Sequence, residues 1–466
     1  RSSDLAFLIP VSWLAYQQLG TPLATLVYGK QVSQIERMEE QLLLSETEHQ
    51  VVRAYLQRGM EYERRLLDVG VALAREREAA RERIHQLRAS NADVGLIVAA
   101  SRELASMPRD EAQARERWTR EMVENYERAR PLGGLPRHSE AFVGDPDGTP
   151  KEREDFQDTR RNFLALMFCL MVGTAGLPHL LTRYYTAPSV AGARASVAWS
   201  LFFIALLYVS APALAVLVKY EVMHNLVGSH FDQLPNWIAQ WARVDAALLS
   251  VEDVNGDGIV QFGEIRLGAD LIMLATPELG GLPYVISGLV AAGGLAAALS
   301  TADGLLLTIS NALVRDLYFQ EKTRHTSPEQ RVILTKFALL AVALAAAFVA
   351  ALKPSDILPL VSASFSLAAS AFVPVMVLGI FWRGTTRKGA VAGMLVGLAV
   401  ALYYILSHVP ALRTALPPWM LARGLWFGIQ PISAGVFGVP AGFLAALLVS
   451  RITRPPPPQP AIRLEM

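Results

Sequence analysis

The stretch LPYVISGLVAAGGLAAALSTADGLLLTI, residues 282–309, is apolar throughout except for a few hydroxyls and one charged side chain, Asp303. A helix needs roughly 20 predominantly apolar residues to cross a bilayer, so this stretch predicts a membrane span. Six further stretches have the same character: 163–181, 197–218, 332–352, 358–382, 390–406 and 432–449. Runs of this length require lipid or other helices on every face. The sequence therefore predicts an all-α, polytopic membrane protein.

The composition agrees with a membrane protein and excludes several other classes. Of 466 residues, 52% are hydrophobic and 18% are charged, whereas soluble domains carry roughly 25% charged residues. The net charge of +1 gives no electrostatic reason to expect a nucleic-acid partner. The single cysteine, Cys169, excludes a disulfide within the chain and a multi-cysteine metal site. The expected partners are the lipid bilayer and a small solute.

Charge divides the chain into four segments. Residues 1–29 are typical of the end of a membrane helix, whose beginning is missing, followed by an outer loop. Residues 30–160 hold more than half of the charged residues and predict an extramembrane helical insertion with breaks near Asn91 and Pro108. This insertion is either a docking surface or, as we favour, a unit that packs on itself. Residues 161–452 form the membrane region, and 453–466 a proline-rich cytoplasmic tail.

Basic residues predict the orientation of the spans. They cluster in alternate breaks, which the positive-inside rule assigns to the cytoplasm: Arg183, Arg194, Arg315, Lys322, Arg324, Arg331, Arg383, Arg387, Lys388, Arg451 and Arg454. The break over 219–281 is acidic and, with the insertion, is expected on the outer side. We therefore expect a multi-pass protein of a bacterial inner membrane.

The most specific local motif is DVNGDGIVQFGE, residues 253–264. It fills the positions of a twelve-residue calcium loop, with a sharp turn at Gly258. The predicted ligands are Asp253, Asn255, Asp257, the Ile259 carbonyl, Gln261 and Glu264. We expect structural Ca²⁺ here, between flanking helices over 237–249 and 265–274. The alternative is an acidic loop of Asx turns that binds no metal.

A second motif lies in mid-span. Ala297, Ser300 and Thr301 share one helix face through their i, i+3, i+4 spacing. If local distortion frees the Ala297 carbonyl, it and the two hydroxyls offer three hard oxygen ligands, which suit Na⁺. Alternatively the hydroxyls bond back to their own helix and assist packing. The spacing alone leaves both interpretations open.

The third motif interrupts another span. Gly173, Gly176 and Pro178 predict a broken helix, whose freed N–H groups attract an anion, and such a break is the best sequence indicator of a transporter's binding site. Thr174 and His179 lie beside it. His179 is a candidate to contact substrate or carry a proton, although a packing role is more common for a single intramembrane histidine.

These stretches resemble the sodium:solute symporter family, most closely its cation/acetate symporter-like branch. The resemblance rests on 168–179, on 281–293, and on 299–307 with the following Arg315-Asp-Leu-Tyr318. It implies a leucine-transporter-type inverted-repeat architecture, here partial, in which 163–181 is the sixth core helix and 282–309 the eighth. The first four core helices are absent from the chain, and the insertion lies outside the usual family pattern.

The resemblance also implies a function. Sodium would bind at Ala297, Ser300 and Thr301, which match the family's eighth-helix positions. The candidate substrate and coupling residues are Gly173, Thr174, Gly176, His179 and Asp303. We expect Na⁺-driven symport of a small organic anion such as acetate, completed by the missing helices of the same transporter, rather than an enzyme. The alternative is a membrane-anchored sensor or interaction protein with an outward calcium loop.

Overall fold

The computed structural model describes residues 6–22, 27–90, 92–181, 188–314, 328–352, 357–409, 417, 421 and 424–453. Helices dominate this part of the chain, and its two short strands pair antiparallel as β1 (Leu249–Val251) and β2 (Ile265–Leu267). Six of the helices described are long and apolar enough to cross a membrane. The predicted all-α polytopic class is confirmed. Most of the proline-rich tail and the predicted Arg315–Tyr318 motif lie outside the described residues.

The first part of the chain forms six helices, and none of them is among the six candidate membrane spans of the described residues. The helices are α1 (Leu8–Leu19), α2 (Gly29–Leu44), α3 (Glu46–Leu67), α4 (Val69–Ala89), α5 (Val94–Ser106) and α6 (Glu111–Arg128). α3 packs along α6, and α4 contacts α5 and α6. The ends of α4 and α5 coincide with the two predicted breaks. Trp118 of α6 is buried with Val69 and Leu73 of α4, so the insertion has its own small core.

The remaining helices begin at Pro150. They are α7 (Pro150–Gly176), α8 (Pro178–Leu181), α9 (Val190–Asn225), α10 (Asn236–Val244), α11 (Ala269–Leu279), α12 (Tyr284–Asn311), α13 (Pro328–Ala351), α14 (Ile357–Phe381), α15 (Arg387–Ser407) and α16 (Gly435–Ile452). Thr149 caps α7 through a capping box with Glu152. The predicted span over 163–181 is not one helix, because the chain breaks at Leu177 between α7 and α8.

The insertion is anchored to the far end of α9. This helix has 36 residues, and at 1.5 Å per residue it is about 54 Å long, well beyond a bilayer core of about 30 Å. Its C-terminal part is covered by α2, and Glu39 of α2 forms a buried ion pair of 2.5 Å with Lys219. The backbone N–H of His138 donates to both carboxylate oxygens of Glu39, at 3.2 and 3.0 Å. The insertion therefore packs on itself and also on the membrane helices.

The insertion also forms hydrogen bonds with the β1–β2 hairpin that precedes α11. The Glu48 carboxylate of α3 accepts the backbone N–H groups of Phe262 at 2.6 Å and Gly263 at 3.2 Å. Arg128 of α6 donates to the Gly263 carbonyl at 2.9 Å. Leu249 of the hairpin belongs to a buried cluster that also contains residues of α1, α9 and α11. The hairpin is therefore held between the insertion and the ends of the membrane helices.

Two groups of membrane helices differ sharply in packing. α7, α14, α15 and α16 form a compact group in which glycines allow close helix contacts. A Cβ added at Gly397 of α15 would lie 2.2 Å from the Ser370 carbonyl oxygen of α14. In contrast, α12 contacts chiefly α13 and α11, and most of its surface is exposed. α12 carries the predicted sodium site.

Candidate functional site

The predicted sodium residues lie in the middle of α12. Ser300 and Thr301 are exposed, Ala297 is half-buried, and the helix is regular through all three. The Thr301 hydroxyl donates to the Ala297 carbonyl at 3.1 Å. The local distortion expected to free that carbonyl is absent, because the helix continues and the threonine occupies the carbonyl instead. This back-bond is the packing alternative that the sequence left open, and it applies to Thr301 but not to Ser300.

Ser300 and Asp303 differ from Thr301, Thr308 and Ser310 of the same helix, whose hydroxyls each donate to a backbone carbonyl. Thr308 donates to the Gly304 carbonyl at 2.7 Å and Ser310 to the Leu306 carbonyl at 2.6 Å. Neither the Ser300 hydroxyl nor the Asp303 carboxylate has a hydrogen-bond or ion-pair partner within the described part of the chain, and both are exposed. They lie one helical turn apart on the same side of α12. Two unsatisfied oxygen-bearing side chains in mid-span are costly in hydrocarbon unless a ligand or a wet cavity receives them.

The helix break predicted at the third motif is present. α7 ends at Gly176, Leu177 has extended backbone with ψ of 117°, and α8 begins at Pro178. The short α8 contacts α12, and it carries His179, which is half-buried. The structure therefore brings the break close to the helix that holds Ser300 and Asp303.

The two glycines before the break have a packing role that the sequence did not indicate. A Cβ at Gly173 would lie 2.6 Å from the Phe365 carbonyl oxygen, and one at Gly176 would lie 2.9 Å from the Ala368 carbonyl oxygen. Both glycines thus allow α7 to lie directly against the backbone of α14. Thr174 faces outward between them, and its hydroxyl donates to the Leu170 carbonyl at 2.7 Å. Their roles in substrate binding stay predictions.

The acidic loop over 253–264 is organised by hydrogen bonds to its own backbone. Asp253 accepts the N–H groups of Gly256 at 2.7 Å and Gly258 at 3.0 Å. The Glu264 carboxylate is fully buried and accepts those of Val254 at 2.7 Å and Gln261 at 3.1 Å. Burial raises the pKa of Glu264, and these amide bonds oppose that shift. Both oxygens of Glu264 therefore already serve the loop.

This arrangement does not support the calcium prediction. The flanking helices expected next to the loop are replaced there by β1 and β2, and helix α10 ends at Val244. Asn255, Asp257 and Gln261 bond to one another through their side chains, and the Ile259 N–H donates to Asp257. Across the described residues, no group of three or more His, Cys, Asp or Glu side chains is placed to hold a metal ion. The Asx-turn alternative describes the loop better.

Comparisons with known proteins agree with the resemblance found in the sequence. Residues 274–397 match the model of the sodium:solute symporter family. An uncharacterized symporter of Cupriavidus necator is 48% identical over 450 residues, which is 96% of this chain and 64% of that protein. A monocarboxylic acid transporter of Corynebacterium glutamicum is 26% identical over 64% of this chain and 47% of its own length. A high-affinity proline transporter of Bacillus subtilis is 38% identical over 26% of this chain and 25% of its own length.

The chain is shorter than the relatives that it matches. The chain spans 64% of the length of the symporter from Cupriavidus necator. The family match covers α12, α13 and α14 whole and ends within α15, so it contains Ser300, Thr301 and Asp303. Six apolar spans and bacterial relatives agree with the predicted multi-pass protein of a bacterial inner membrane.

Proposed function

The chain is a member of the sodium:solute symporter family, whose members are transporters rather than enzymes. From this premise we propose that the whole protein is a sodium-coupled symporter of a small monocarboxylate such as acetate. The observation that carries the proposal is the placement of Ser300. Its hydroxyl has no hydrogen-bond partner among the described residues, and it lies in mid-span on a helix that the broken α7–α8 segment contacts. A discontinuous helix beside a polar mid-span face is the usual construction of a secondary transporter's site.

The proposed sodium site uses one face of α12. Ser300 offers a free hydroxyl oxygen, while Thr301 and the Ala297 carbonyl must exchange their mutual hydrogen bond for ion coordination. Hard oxygen ligands of this kind suit Na⁺. Three ligands on one helix leave the rest of the ion's coordination shell open. We propose that helices of the same transporter outside this chain supply the remaining ligands, as the greater length of the relative allows.

The proposed substrate site lies at the break between α7 and α8. Free backbone N–H groups at a half-helix end favour an anion. Thr174 and His179 flank the break and are the side chains that we assign to the carboxylate. For this the Thr174 hydroxyl must exchange its bond to the Leu170 carbonyl for one to the substrate, while Gly173 and Gly176 keep α7 close to α14. A monocarboxylate is favoured over proline because the monocarboxylic acid transporter aligns over the larger share of this chain.

The proposed coupling between Na⁺ and the substrate has an electrostatic cause. Na⁺ bound near a carboxylate offsets the charge of the anion, and this attraction is strong where the dielectric constant is low. Each ligand therefore favours the binding of the other, and the inward sodium gradient drives accumulation of the solute. The family match favours this function over the sensor alternative.

The proposal is tested by uptake of labelled acetate into proteoliposomes that contain the whole protein. Ser300→Ala together with Thr301→Ala should reduce sodium-stimulated uptake at least about tenfold, a difference of ~1.4 kcal/mol in ion binding. Thr308→Val is the matched control, because Thr308 is back-bonded on the same helix and should retain uptake within about twofold. Unchanged sodium dependence in the double variant would overturn the site.

A further inference from the structure

The insertion shares a buried apolar cluster with α9 and with the β1–β2 hairpin. The members of this cluster come from α2, from the turn after α6, from α9 and from the residues between β1 and β2: Ile35, Leu132, Val216, Met223 and Phe262. These side chains stay out of water only while the three parts of the chain remain together. The hairpin is therefore part of one small core with the insertion and the end of α9.

Hydrogen bonds from two helices of the insertion hold the same part of the hairpin. Glu48 of α3 accepts the buried N–H groups of Phe262 and Gly263. Arg128 of α6 donates to the Gly263 carbonyl. Two ion pairs flank this contact: Arg58 with Glu252, and Arg266 with Glu124. Backbone groups of the hairpin would lose these partners if the hairpin left the insertion, and such losses are costly for buried groups.

The hairpin is also bonded to the residues that follow α9. The N–H of Gly228 donates to the Val260 carbonyl, and the N–H of Val260 donates to the Ser229 carbonyl, each at 2.8 Å. Leu249 adds an apolar contact, because it lies in a buried cluster with residues of α1, α9 and α11. We call residues 226–279, which contain α10, the hairpin and α11, the connecting segment. The insertion, the connecting segment and the end of α9 are therefore joined by several independent contacts.

These contacts bear on how the transporter moves, on the premise of the proposed function. The helices of a secondary transporter move against one another around the bound ligands. A segment that joins two of these helices either moves as a lid or stays fixed to one of them. The shared cluster and the bonds to the hairpin backbone favour the second possibility. We propose that the insertion is a clamp, which keeps the connecting segment fixed to the end of α9 throughout the transport cycle.

The first test joins the insertion to the hairpin covalently. A Cβ at Gly263 would lie 3.9 Å from the Cβ of Val51, and disulfides have Cβ–Cβ distances of roughly 3.5–4.5 Å. Val51→Cys with Gly263→Cys in the whole protein should therefore form a disulfide on mild oxidation, detected as a cross-linked peptide by mass spectrometry. Sodium-stimulated uptake of labelled acetate into proteoliposomes should stay within about twofold of the uptake by the reduced protein. A loss of uptake on oxidation that a reductant reverses would overturn the clamp, and so would failure of the disulfide to form.

The second test loosens the contact. Arg58→Ala with Arg128→Ala removes one flanking ion pair and the bond to the Gly263 carbonyl. Hydrogen exchange of residues 249–267 should become at least about tenfold faster. Sodium-stimulated acetate uptake should fall at least about threefold, because the connecting segment is no longer held. The disulfide of the first test, introduced into this loosened variant, should restore uptake to within about twofold of the unmodified protein.

Arg53→Ala with Arg120→Ala is the matched control for the loosened variant. These two arginines lie on the same helices, α3 and α6, but pair with glutamates of their own helices, Glu46 and Glu116. The control should keep exchange and uptake within about twofold of the unmodified protein. Unchanged exchange in the loosened variant, or faster exchange without a fall in uptake, would overturn the clamp. If the unmodified protein shows no sodium-stimulated acetate uptake, the proposed function is overturned, whereas the disulfide and the exchange rates still decide whether the insertion holds the connecting segment.

Discussion

The compact group of α7, α14, α15 and α16 and the pair of α12 and α13 are built from similar residues and packed differently. Within the most apolar part of each helix, 44% of the residues of α14 and 39% of those of α16 are buried, against 11% in α12 and none in α13. Apolar character therefore does not distinguish the two regions. The difference lies in what their small and polar residues contact.

Glycine and serine have opposite uses in the two regions. In the compact group Gly397 lies against the backbone of α14, and the buried Ser366 hydroxyl donates to the Ile432 carbonyl at 2.6 Å. In α12 a Cβ at Gly288 would meet nothing within 4 Å, and Ser300 is exposed without a partner among the described residues. A glycine or serine with close neighbours therefore contributes to packing, whereas the exposed Ser300 is left available for a ligand.

The largest expected effect is on packing in the compact group. Gly397→Val should destabilise the chain by about 3 kcal/mol, because its Cβ would collide with the Ser370 carbonyl and force the two helices apart. The measurement is thermal unfolding in detergent, followed by circular dichroism, with size-exclusion chromatography to detect aggregation.

Gly288→Val is the matched control on α12. It should change stability by less than about 0.5 kcal/mol, since valine has open space there. If both variants are equally destabilised, the contrast between the two regions does not exist.

A smaller effect concerns the contact between the insertion and the β1–β2 hairpin. Glu48 of the insertion contacts the hairpin before α11 and is largely buried. Burial raises the pKa of the Glu48 carboxyl, and the hydrogen bonds from the Phe262 and Gly263 amides oppose this shift. Because the pKa of Glu48 is higher in the folded chain than in the unfolded chain, its contribution to stability is greatest below the unfolded pKa and is lost as the pH rises through the folded pKa.

We therefore expect the hairpin to be better protected near pH 5 than near pH 7, after correction for intrinsic exchange rates, in hydrogen exchange of residues 249–267. Glu48→Gln should flatten this dependence by about 1 kcal/mol or less. Glu264 titrates in the same direction and accounts for any slope that remains. Better protection at the higher pH would contradict this account of the contact.

The sequence predicted the positions of the helices better than it predicted which helices pack against each other. Apolar length and the Gly176-Leu-Pro178 break are local properties, and both appear in the structure. The contact of Gly173 with α14 joins residues far apart in the chain, so no local pattern indicates it. The calcium prediction lacks support for a related reason. Spacing specifies which residues could be ligands, whereas the contacts with Glu48 and Arg128 and the strand pairing decide how the loop is arranged.

The smallest expected effect on stability is at the candidate site. Ser300→Ala should change the free energy of unfolding by less than about 0.5 kcal/mol, since an exposed hydroxyl without a partner loses no contact. Ser366→Ala, the matched serine of the compact group, should cost about 1 kcal/mol because it leaves the Ile432 carbonyl without its donor. Unfolding of both variants in the same detergent gives the comparison. If Ser300→Ala destabilised the chain as much as Ser366→Ala, Ser300 would be a packing residue, and its place in the sodium site would lose its physical basis.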